Sequence, residues 1–530
     1  MKSVRVILLS FCIASGLSIA TDAQVSITTD RYDNSRSGQN LNETILTPAN
    51  VNSKGFGKLF SYVVDGYVYA QALYVPNLTI SGNVHNVVFV ATEHDSVYAF
   101  DADSNSGKNA SPLWHRTFIN PAKGITTASS TQLNCTDIQP EVGITSTPVI
   151  DPTTGTIYLV VATVENSKFV QRLHALNILT GAEQRPPTVI WAQAKGTGEG
   201  SVNGVITFTP SEQVQRAGLL LLNGALYITW ASYCDNDPWH GWLMAYNEAT
   251  LKQIGSWNTT PNGSWGGIWQ SGTGIAADSE SNIYFATGNG TFDANVGGVD
   301  YGDSVVKLAT PPVNKQFQVL DYFTPFDQAS DFKNDGDVGS GGVLLLPDQG
   351  QSAPHQHLLL QAGKQGSIFL IDGDNMGHYN NKSNHQIVQD MQHAVGGLWS
   401  TPAWWNNYVY FGGQRDYLKM YSFDPTTGLL STTPVSQSPT QFGFPGPTAA
   451  ISANGTSNGI VWAIEKEGNH PTSGTLHVYD ATNLANEIYN TNQNPGDSLG
   501  NAVKFSVPTV ANGKVYVPAL KVLNVYGLFN

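Results

Sequence analysis

A strand–turn–strand unit recurs about every 45 to 65 residues along this chain. Each copy has an apolar strand, a polar turn, a second strand ending in Asp or Asn, and a TG-like turn. A repeat of this period that contains only strands predicts a β-propeller built from four-stranded blades. The copies are VVFVATEHDSVYAFDAD (87–103) and the segments ending in ALNILTG (175–181), AYNEAT (245–250), LIDGDNMG (370–377), YSFDPTTG (421–428) and VYDATN (478–483).

The spacing predicts an all-β fold of eight blades. The first seven are expected at residues 68–114, 143–191, 216–257, 265–323, 338–379, 398–430 and 447–489. The eighth, at 503–528, shows only three strand runs, so its fourth strand is expected from FSYVV at 60–64, near the N-terminus. Such a strand closes the ring and removes the free sheet edges. A count of seven blades is the alternative.

The N-terminus has the features of a secretory signal peptide. Lys2 and Arg5 precede an apolar run at 6–19, and small residues follow before position 24. The run is too short for a stable membrane span. We therefore predict a signal peptide at 1–23, an N-terminal segment at 24–59 and a propeller at 60–530, in a protein that is secreted or periplasmic.

The charge of the chain argues against nucleic acid as a partner. Of the 26 Lys and Arg residues, Lys2 and Arg5 leave with the signal peptide, and of the 40 Asp and Glu residues only Asp22 does. The mature protein therefore has 24 basic and 39 acidic residues, a net charge of −15. A surface of this sign repels nucleic acid and anionic membranes.

Polar side chains concentrate on one face of the predicted ring. In a propeller, the loops between the second and third strands of a blade open on the same face as the loops between blades. The first kind of loop holds Asp235 and Asp237, Asn289 and Lys364, and the second kind holds Cys135 and Asp337. Because Cys135 and Cys234 share this face, they can form a disulfide in an oxidising compartment.

Several segments resemble the quinoprotein alcohol dehydrogenases, eight-bladed propellers that carry pyrroloquinoline quinone (PQQ) and calcium. The segments are RYDNSRSGQNLNETILTPANV near the start, ATGNG in blade four, TPFDQASDFKNDGDVGSGG after it, and QAGKQG in blade five. The resemblance covers nearly the whole mature chain. It implies oxidation of an alcohol, a polyol or a sugar, with electrons passed to a separate acceptor.

The resemblance also implies roles for individual residues. Trp269 would support the quinone ring, and Asn289 would bind calcium. Asp337 would be the general base and a further calcium ligand, with Asp335 and Asp331 as less favoured choices. Lys364 would contact the quinone oxygens. The family's calcium-binding Glu of blade three falls on Asp235 or Asp237, either of which supplies the oxygen ligands that calcium prefers.

Two departures keep a second function open. The pair of adjacent cysteines found in many family members is absent, and Glu141 stands where the resemblance expects an Arg. The alternative is a non-catalytic PQQ-like propeller that binds a protein or a glycan with the same face, since a fold alone does not imply an activity. Under that alternative, Asp337 and Asn289 serve turns, Trp269 serves packing, and Lys364 is a solvated loop charge.

Overall fold

The computed structural model describes residues 24–529, so the predicted signal peptide lies outside the described residues. Eight antiparallel sheets form a ring, as the repeat predicted. The described part of the chain holds one α-helix, Gln328–Asn334, among its many strands. It contains no helix long and apolar enough to cross a membrane.

The strands of the first four blades run from the axis to the rim in chain order. They are Leu73–Ile80, Asn83–Thr92, Ser96–Asp101 and Trp114–Thr117 in blade 1; Val149–Asp151, Thr156–Glu165, Lys168–Asn177 and Thr188–Val189 in blade 2; Leu220–Leu222, Ala225–Ser232, Trp242–Asn247 and Gln253–Asn258 in blade 3; and Ala276–Ala277, Ile283–Ala286, Val305–Leu308 and Val319–Thr324 in blade 4.

Blades 5 to 7 repeat this order, and blade 8 combines the two ends of the chain. The strands are Leu344–Leu345, Leu358–Ala362, Ile368–Asp372 and Gln389–Met391 in blade 5; Ala403–Trp405, Tyr408–Gly412, Asp416–Asp424 and Ser436–Phe442 in blade 6; Ala450–Asn454, Ser457–Glu465, Thr475–Asp480 and Asn483–Asn490 in blade 7; and Thr509–Ala511, Lys514–Leu528 and Phe56–Tyr67 in blade 8.

Further short strands and 3-10 turns lie outside the main strands of the blades. The additional strands are Gln39–Asn40, Ile125–Ser129, Glu141–Val142, Gln193–Lys195, Val205–Thr207, Gln213–Val214, His378–Tyr379, Leu429–Leu430, Thr472–Ser473 and Asn501–Ala502. Single 3-10 turns occur at Gly107–Ala110, Pro121–Lys123, Ala294–Val296, Val338–Ser340 and Pro495–Asp497.

The outer edges of blades 5 and 6 lie further along the chain than predicted. The outer strand of blade 5 is Gln389–Met391, whereas His378–Tyr379 pairs in parallel with the outer strand of blade 4. Side chains explain this choice, because His378 stacks on Tyr322 with an interplanar angle of 7° and lies 3.0 Å from Asp321. In blade 6 the outer strand is Ser436–Phe442, beyond the predicted end at residue 430.

The two ends of the chain close the ring in blade 8. Phe56–Tyr67, which contains the predicted strand at 60–64, pairs antiparallel with Lys514–Leu528. Val515 and Tyr526 face the same apolar cluster although they differ by an odd number of positions. A straight strand would place them on opposite faces, so the chain reverses between them, near Lys521 with its φ of 56°.

The N-terminal segment forms an internal ring that contacts the innermost strand of every blade. We call residues 27–40 the axial ring. Its hydrogen bonds follow chain order around the axis, from Ile27 with Tyr74, Thr28 with Ile150, Asn34 with Leu221 and Ala277, Ser35 with Leu345, Ser37 with Trp404 and Gly38 with Ile451, to Asn40 with Val510. The axial ring thereby satisfies strand-edge groups that would otherwise lack partners.

Two arginines fasten the axial ring, and both are fully buried. Arg31 donates hydrogen bonds to the carbonyl oxygens of Ala449 and Pro402, in blades 7 and 6. Arg36 donates to the carbonyl oxygen of Ile275 beside blade 4. These bonds tie the axial ring to the inner edges of blades 4, 6 and 7.

Candidate functional site

A pocket with a volume of about 160 Å³ opens at the axis on the face opposite the axial ring. Loops from seven blades contribute to its wall, among them those carrying Cys135, Asp235, Trp269, Lys364, Trp399 and Lys504. The pocket therefore collects residues from the loop face that the sequence analysis marked as rich in polar side chains.

Lys364, Asp335, Asp337 and Asn289 form one hydrogen-bonded cluster. The Lys364 ammonium lies 2.5 Å from Asp337 Oδ2 and also contacts Asp335. Asn289 donates its backbone N–H to Asp337 Oδ1 at 2.6 Å and its amide to Asp335 at 2.9 Å. Burial alone would lower the pKa of Lys364, but the two carboxylates raise it above the ordinary 10.5. Two of these residues, Asp337 and Lys364, line the pocket.

Glycines allow the cluster to assemble. A Cβ at Gly288, in the ATGNG segment, would lie 2.2 Å from Asp337 Oδ1. A Cβ at Gly363, in the QAGKQG segment, would lie 2.3 Å from the Asp337 carbonyl oxygen. Real side chains do not tolerate such contacts, so both positions need the residue without a Cβ. The two segments therefore bring their backbones directly against Asp337.

Asn289 has an amide oxygen that lacks a partner. Its Oδ1 is buried and accepts no hydrogen bond within residues 24–529. Leaving a buried acceptor unsatisfied costs roughly 1–3 kcal/mol. A hard cation such as calcium takes amide and carboxylate oxygens as ligands. Asn289 Oδ1, with the neighbouring Asp337 and Asp335 carboxylates, is thus a set of oxygen donors suited to such an ion.

The two aspartates of blade three have separate environments. Asp235 lines the pocket, where Ser232 donates a 2.6 Å hydrogen bond to its Oδ1 and desolvation raises its pKa. Asp237 is exposed and accepts a 2.7 Å hydrogen bond from the indole of Trp265. In the described chain, the only three His, Cys, Asp or Glu ligand atoms within 4.8 Å of one another belong to Cys135, Asp137 and Cys234. The carboxylates of Asp235, Asp237 and Asp337 are therefore not brought together.

A disulfide joins Cys135 to Cys234 in the pocket wall. Their Cα atoms are 5.4 Å apart, and the bond spans 99 positions of sequence. The side-chain amide of Asn236 reinforces the contact by donating to the carbonyl oxygen of Leu133 at 3.1 Å. The disulfide thus holds the loop before blade 2 against the loop of blade 3.

Trp269 packs in the same apolar cluster as the disulfide, together with Tyr233 and Phe505. It is half-buried and meets Trp239 edge to face, with ring centroids 6.4 Å apart. The predicted aromatic residue and the disulfide therefore border one cavity, which gives that cavity flat, apolar walls.

Glu141 does not line the pocket. It binds His94 Nδ1 at 2.8 Å instead. The lining residues that escaped the sequence analysis include Arg216, Lys504 and Phe505. Their positions in the loops that precede the inner strands of blades 3 and 8 were the available signal, because such loops open on the pocket face.

Comparison with known proteins shows the fold of this chain. No protein-family profile and no curated protein matches it. Among solved structures, it is similar to the quinohemoprotein alcohol dehydrogenase ADHIIG of Pseudomonas putida HK5, with a TM-score of 0.61, 13% identity, and coverage of 95% of this chain and 80% of that one. The corresponding enzyme of Comamonas testosteroni gives a TM-score of 0.57, 13% identity, and coverage of 96% and 81%. The fold is that of the propellers in these enzymes.

Proposed function

We propose that this protein is an exported dehydrogenase that uses PQQ and calcium to oxidise an alcohol, a polyol or a sugar. The observation that carries the proposal is the Lys364–Asp337–Asn289 cluster at the wall of a pocket bordered by Trp269. A base, a cation and an unpaired oxygen ligand beside one another are the parts that such an oxidation requires. Electrons would leave to a separate acceptor.

The residues of the pocket fit both groups. A planar quinone suits a cavity with an indole and a disulfide among its walls, since aromatic rings gain by stacking. Calcium would be held by the oxygens of Asn289, Asp337 and Asp335, and Asp235 or water would complete the ligand set. When bound, the quinone supplies a two-electron acceptor and calcium supplies a Lewis acid.

The chain's own residues perform the proton chemistry. Asp337 accepts the hydroxyl proton of the substrate on Oδ2, while the Asn289 N–H holds Oδ1 and fixes the orientation of the carboxylate. Lys364 pairs with Oδ2 and would exchange it for a ligand oxygen that competes for the ammonium. The charge of Lys364 then stabilises negative charge on that oxygen. Trp269 would exclude water from one side of a bound quinone ring.

The second candidate is a non-catalytic propeller that binds a protein or a glycan. One observation favours it, because Lys364 already pairs with both carboxylates of the cluster and so reduces their need for an added cation. The hydrogen bond that Asp237 accepts from the indole of Trp265, outside the cluster, points in the same direction. Under this candidate the pocket binds no quinone.

Titration of the mature protein with PQQ, with and without calcium, tests the proposal. We expect quenching of tryptophan fluorescence that depends on calcium and weakens at least about tenfold in Lys364→Met, because a charge-assisted hydrogen bond contributes about 1.5–3 kcal/mol. Lys419→Met is the matched control, since Lys419 also pairs with an aspartate, at 2.7 Å, and is similarly buried outside the pocket. Absence of PQQ binding in the wild-type protein would exclude the dehydrogenase and leave the binding scaffold.

Turnover provides the second readout. If the loaded protein reduces an artificial electron acceptor with an alcohol or a sugar, the Asp337→Asn variant should retain PQQ and lose turnover. A variant that keeps full turnover would remove Asp337 from the mechanism. Fractionation of the source cells tests export, which predicts the protein outside the cytoplasm.

A further inference from the structure

Two cations at the floor of the pocket lack the partners that buried charges normally have. Arg216 and Phe505 line both the main pocket and a smaller cavity below it, and that cavity also contacts Asp30 of the axial ring. These two residues therefore form the floor. The Arg216 guanidinium lies over the rings of Phe505, at 4.0 Å, and Tyr69, at 5.7 Å. Its buried Nε has no hydrogen-bond acceptor within residues 24–529.

Lys504 is the second cation. Its side chain is only 5% exposed, yet its ammonium lies 3.8 Å from the nearest paired carboxylate oxygen, on Asp137. That separation is too long for a hydrogen bond, and the Asp137 side chain is half exposed to solvent. Proteins rarely bury charges without close partners, because desolvation costs several kcal/mol per ion. Glu93 and Asp137 are the carboxylates whose charges act on Arg216, and Asp137 is also the one paired with Lys504. Within residues 24–529 neither cation has a carboxylate at hydrogen-bond distance, so both the ammonium and the guanidinium groups remain available to an anionic ligand.

The backbone of Phe505 is strained in a way that builds this floor. Its φ is 66°, in the left-handed region that residues with a bulky side chain rarely adopt. A conformation of this kind costs about 1–3 kcal/mol and persists mainly where the surroundings require it, often at binding sites. Here it accompanies the placement of the aromatic ring under the guanidinium of Arg216, with Lys504 adjacent in sequence.

We propose that Arg216 and Lys504 bind a carboxylate group of the pocket ligand, whose planar ring lies against the aromatic walls. The ligand class is therefore an aromatic acid with at least one carboxylate at the floor and its reactive end toward Lys364 and Asp337. This deepens the proposed function, on which the inference rests where the ligand is PQQ. Charge-assisted contacts to both cations supply the affinity, and Glu141 takes no part because it binds His94.

The affinity of the pocket for a carboxylate ligand should depend on pH. Burial lowers the pKa of the Lys504 ammonium to about 8. The Asp137 carboxylate opposes this shift, and the positive charges of Arg216 and Lys466 add to it. A carboxylate that arrives beside the ammonium favours the charged form, so binding takes up a proton when the pH is near 8. Affinity should consequently fall as the pH rises from 7 to 9.

The test uses two probes of the same shape, benzene-1,3,5-tricarboxylate and the uncharged benzene-1,3,5-tricarboxamide. Calorimetry on the mature protein should detect the tricarboxylate and no comparable binding of the tricarboxamide. Arg216→Gln and Lys504→Met should each weaken tricarboxylate binding by at least about tenfold, the value of one hydrogen bond to a charged group. Arg185→Gln is the control, because Arg185 does not line the pocket and donates instead to the carbonyl oxygen of Ala249. Titrations in two buffers of different ionisation enthalpy should show proton uptake at pH 8.

Several outcomes would overturn the inference. They are equal binding of the two probes, wild-type affinity in Lys504→Met, and no tricarboxylate binding to the wild-type protein. If Arg216→Gln fails to fold in a melting assay, Lys504→Met and the pH profile still decide. A PQQ titration separates this inference from the proposed function. Tricarboxylate binding without PQQ binding refutes only the PQQ dehydrogenase, whereas PQQ binding that is unchanged in both variants refutes only the floor assignment.

Discussion

Removal of the Cys135–Cys234 disulfide should lower the stability of this protein by several kcal/mol. The bond closes a loop of about 100 residues, and in the chain-entropy account a loop of that length contributes about 4.7 kcal/mol at 25 °C. Strain and residual structure in the unfolded chain reduce such values, so we expect a decrease of about 3–4.7 kcal/mol in the free energy of unfolding of Cys135→Ala/Cys234→Ala.

The assay is equilibrium unfolding in guanidinium chloride, followed by tryptophan fluorescence, on the oxidised mature protein, the reduced protein and the double variant. The reduced protein and the double variant should have the same lowered midpoint, and a reductant should not change the midpoint of the double variant. Because the disulfide also borders the pocket, ligand affinity should fall in parallel. Free energies of unfolding that agree within about 0.5 kcal/mol for all three samples would refute the reasoning, since a formed bond of this span must constrain the unfolded chain.

Three further predictions concern the core, the axial ring and the site. Burial raises the pKa of Glu93 to about 7, so its contribution to stability is full below pH 4.5 and is lost as the pH rises through 7. Between pH 5 and 8 the wild-type protein should lose about 2.7 kcal/mol more of its unfolding free energy than Glu93→Gln does, which is two pKa units at 1.36 kcal/mol each. Arg31→Met should cost about 3 kcal/mol or more by leaving buried carbonyl groups unpaired, and an unchanged melting temperature would contradict this. Gly288→Ala should displace Asp337 and weaken ligand binding at least about tenfold with the fold retained, whereas Gly350→Ala, which meets nothing within 4 Å, should not.

The propeller could be predicted because its signal is local and repeated. Each blade needs alternating apolar strands and polar turns, and these patterns recur within short windows such as 87–103. The closing strand could also be predicted, since blade 8 lacked a fourth run and residues 60–64 supplied one. The edges of blades 5 and 6 could not, because outer strands such as Gln389–Met391 pair on one side only and have weak patterns.

The residues of the site were partly accessible from the sequence. Loop position placed Lys364 and Asp337 on one face, and both line the pocket. Trp269, which only the family resemblance suggested, lines it too. Loop position could not separate Asp235, which lines the pocket, from Asp237, which bonds to the indole of Trp265. Residues two apart in a turn differ in direction according to local backbone angles, which the residue types alone do not specify.

The sequence by itself determined the repeat, the all-β blades, the ring closed by an N-terminal strand and the face on which polar loops gather. These properties follow from the period of apolar residues and from turn chemistry, which act within a few tens of residues. Only the tertiary structure decided that residues 27–40 line the axis and that Arg216 meets Lys504 at the floor. Those contacts join positions hundreds of residues apart, and which charges remain without partners depends on the complete three-dimensional arrangement of their neighbours.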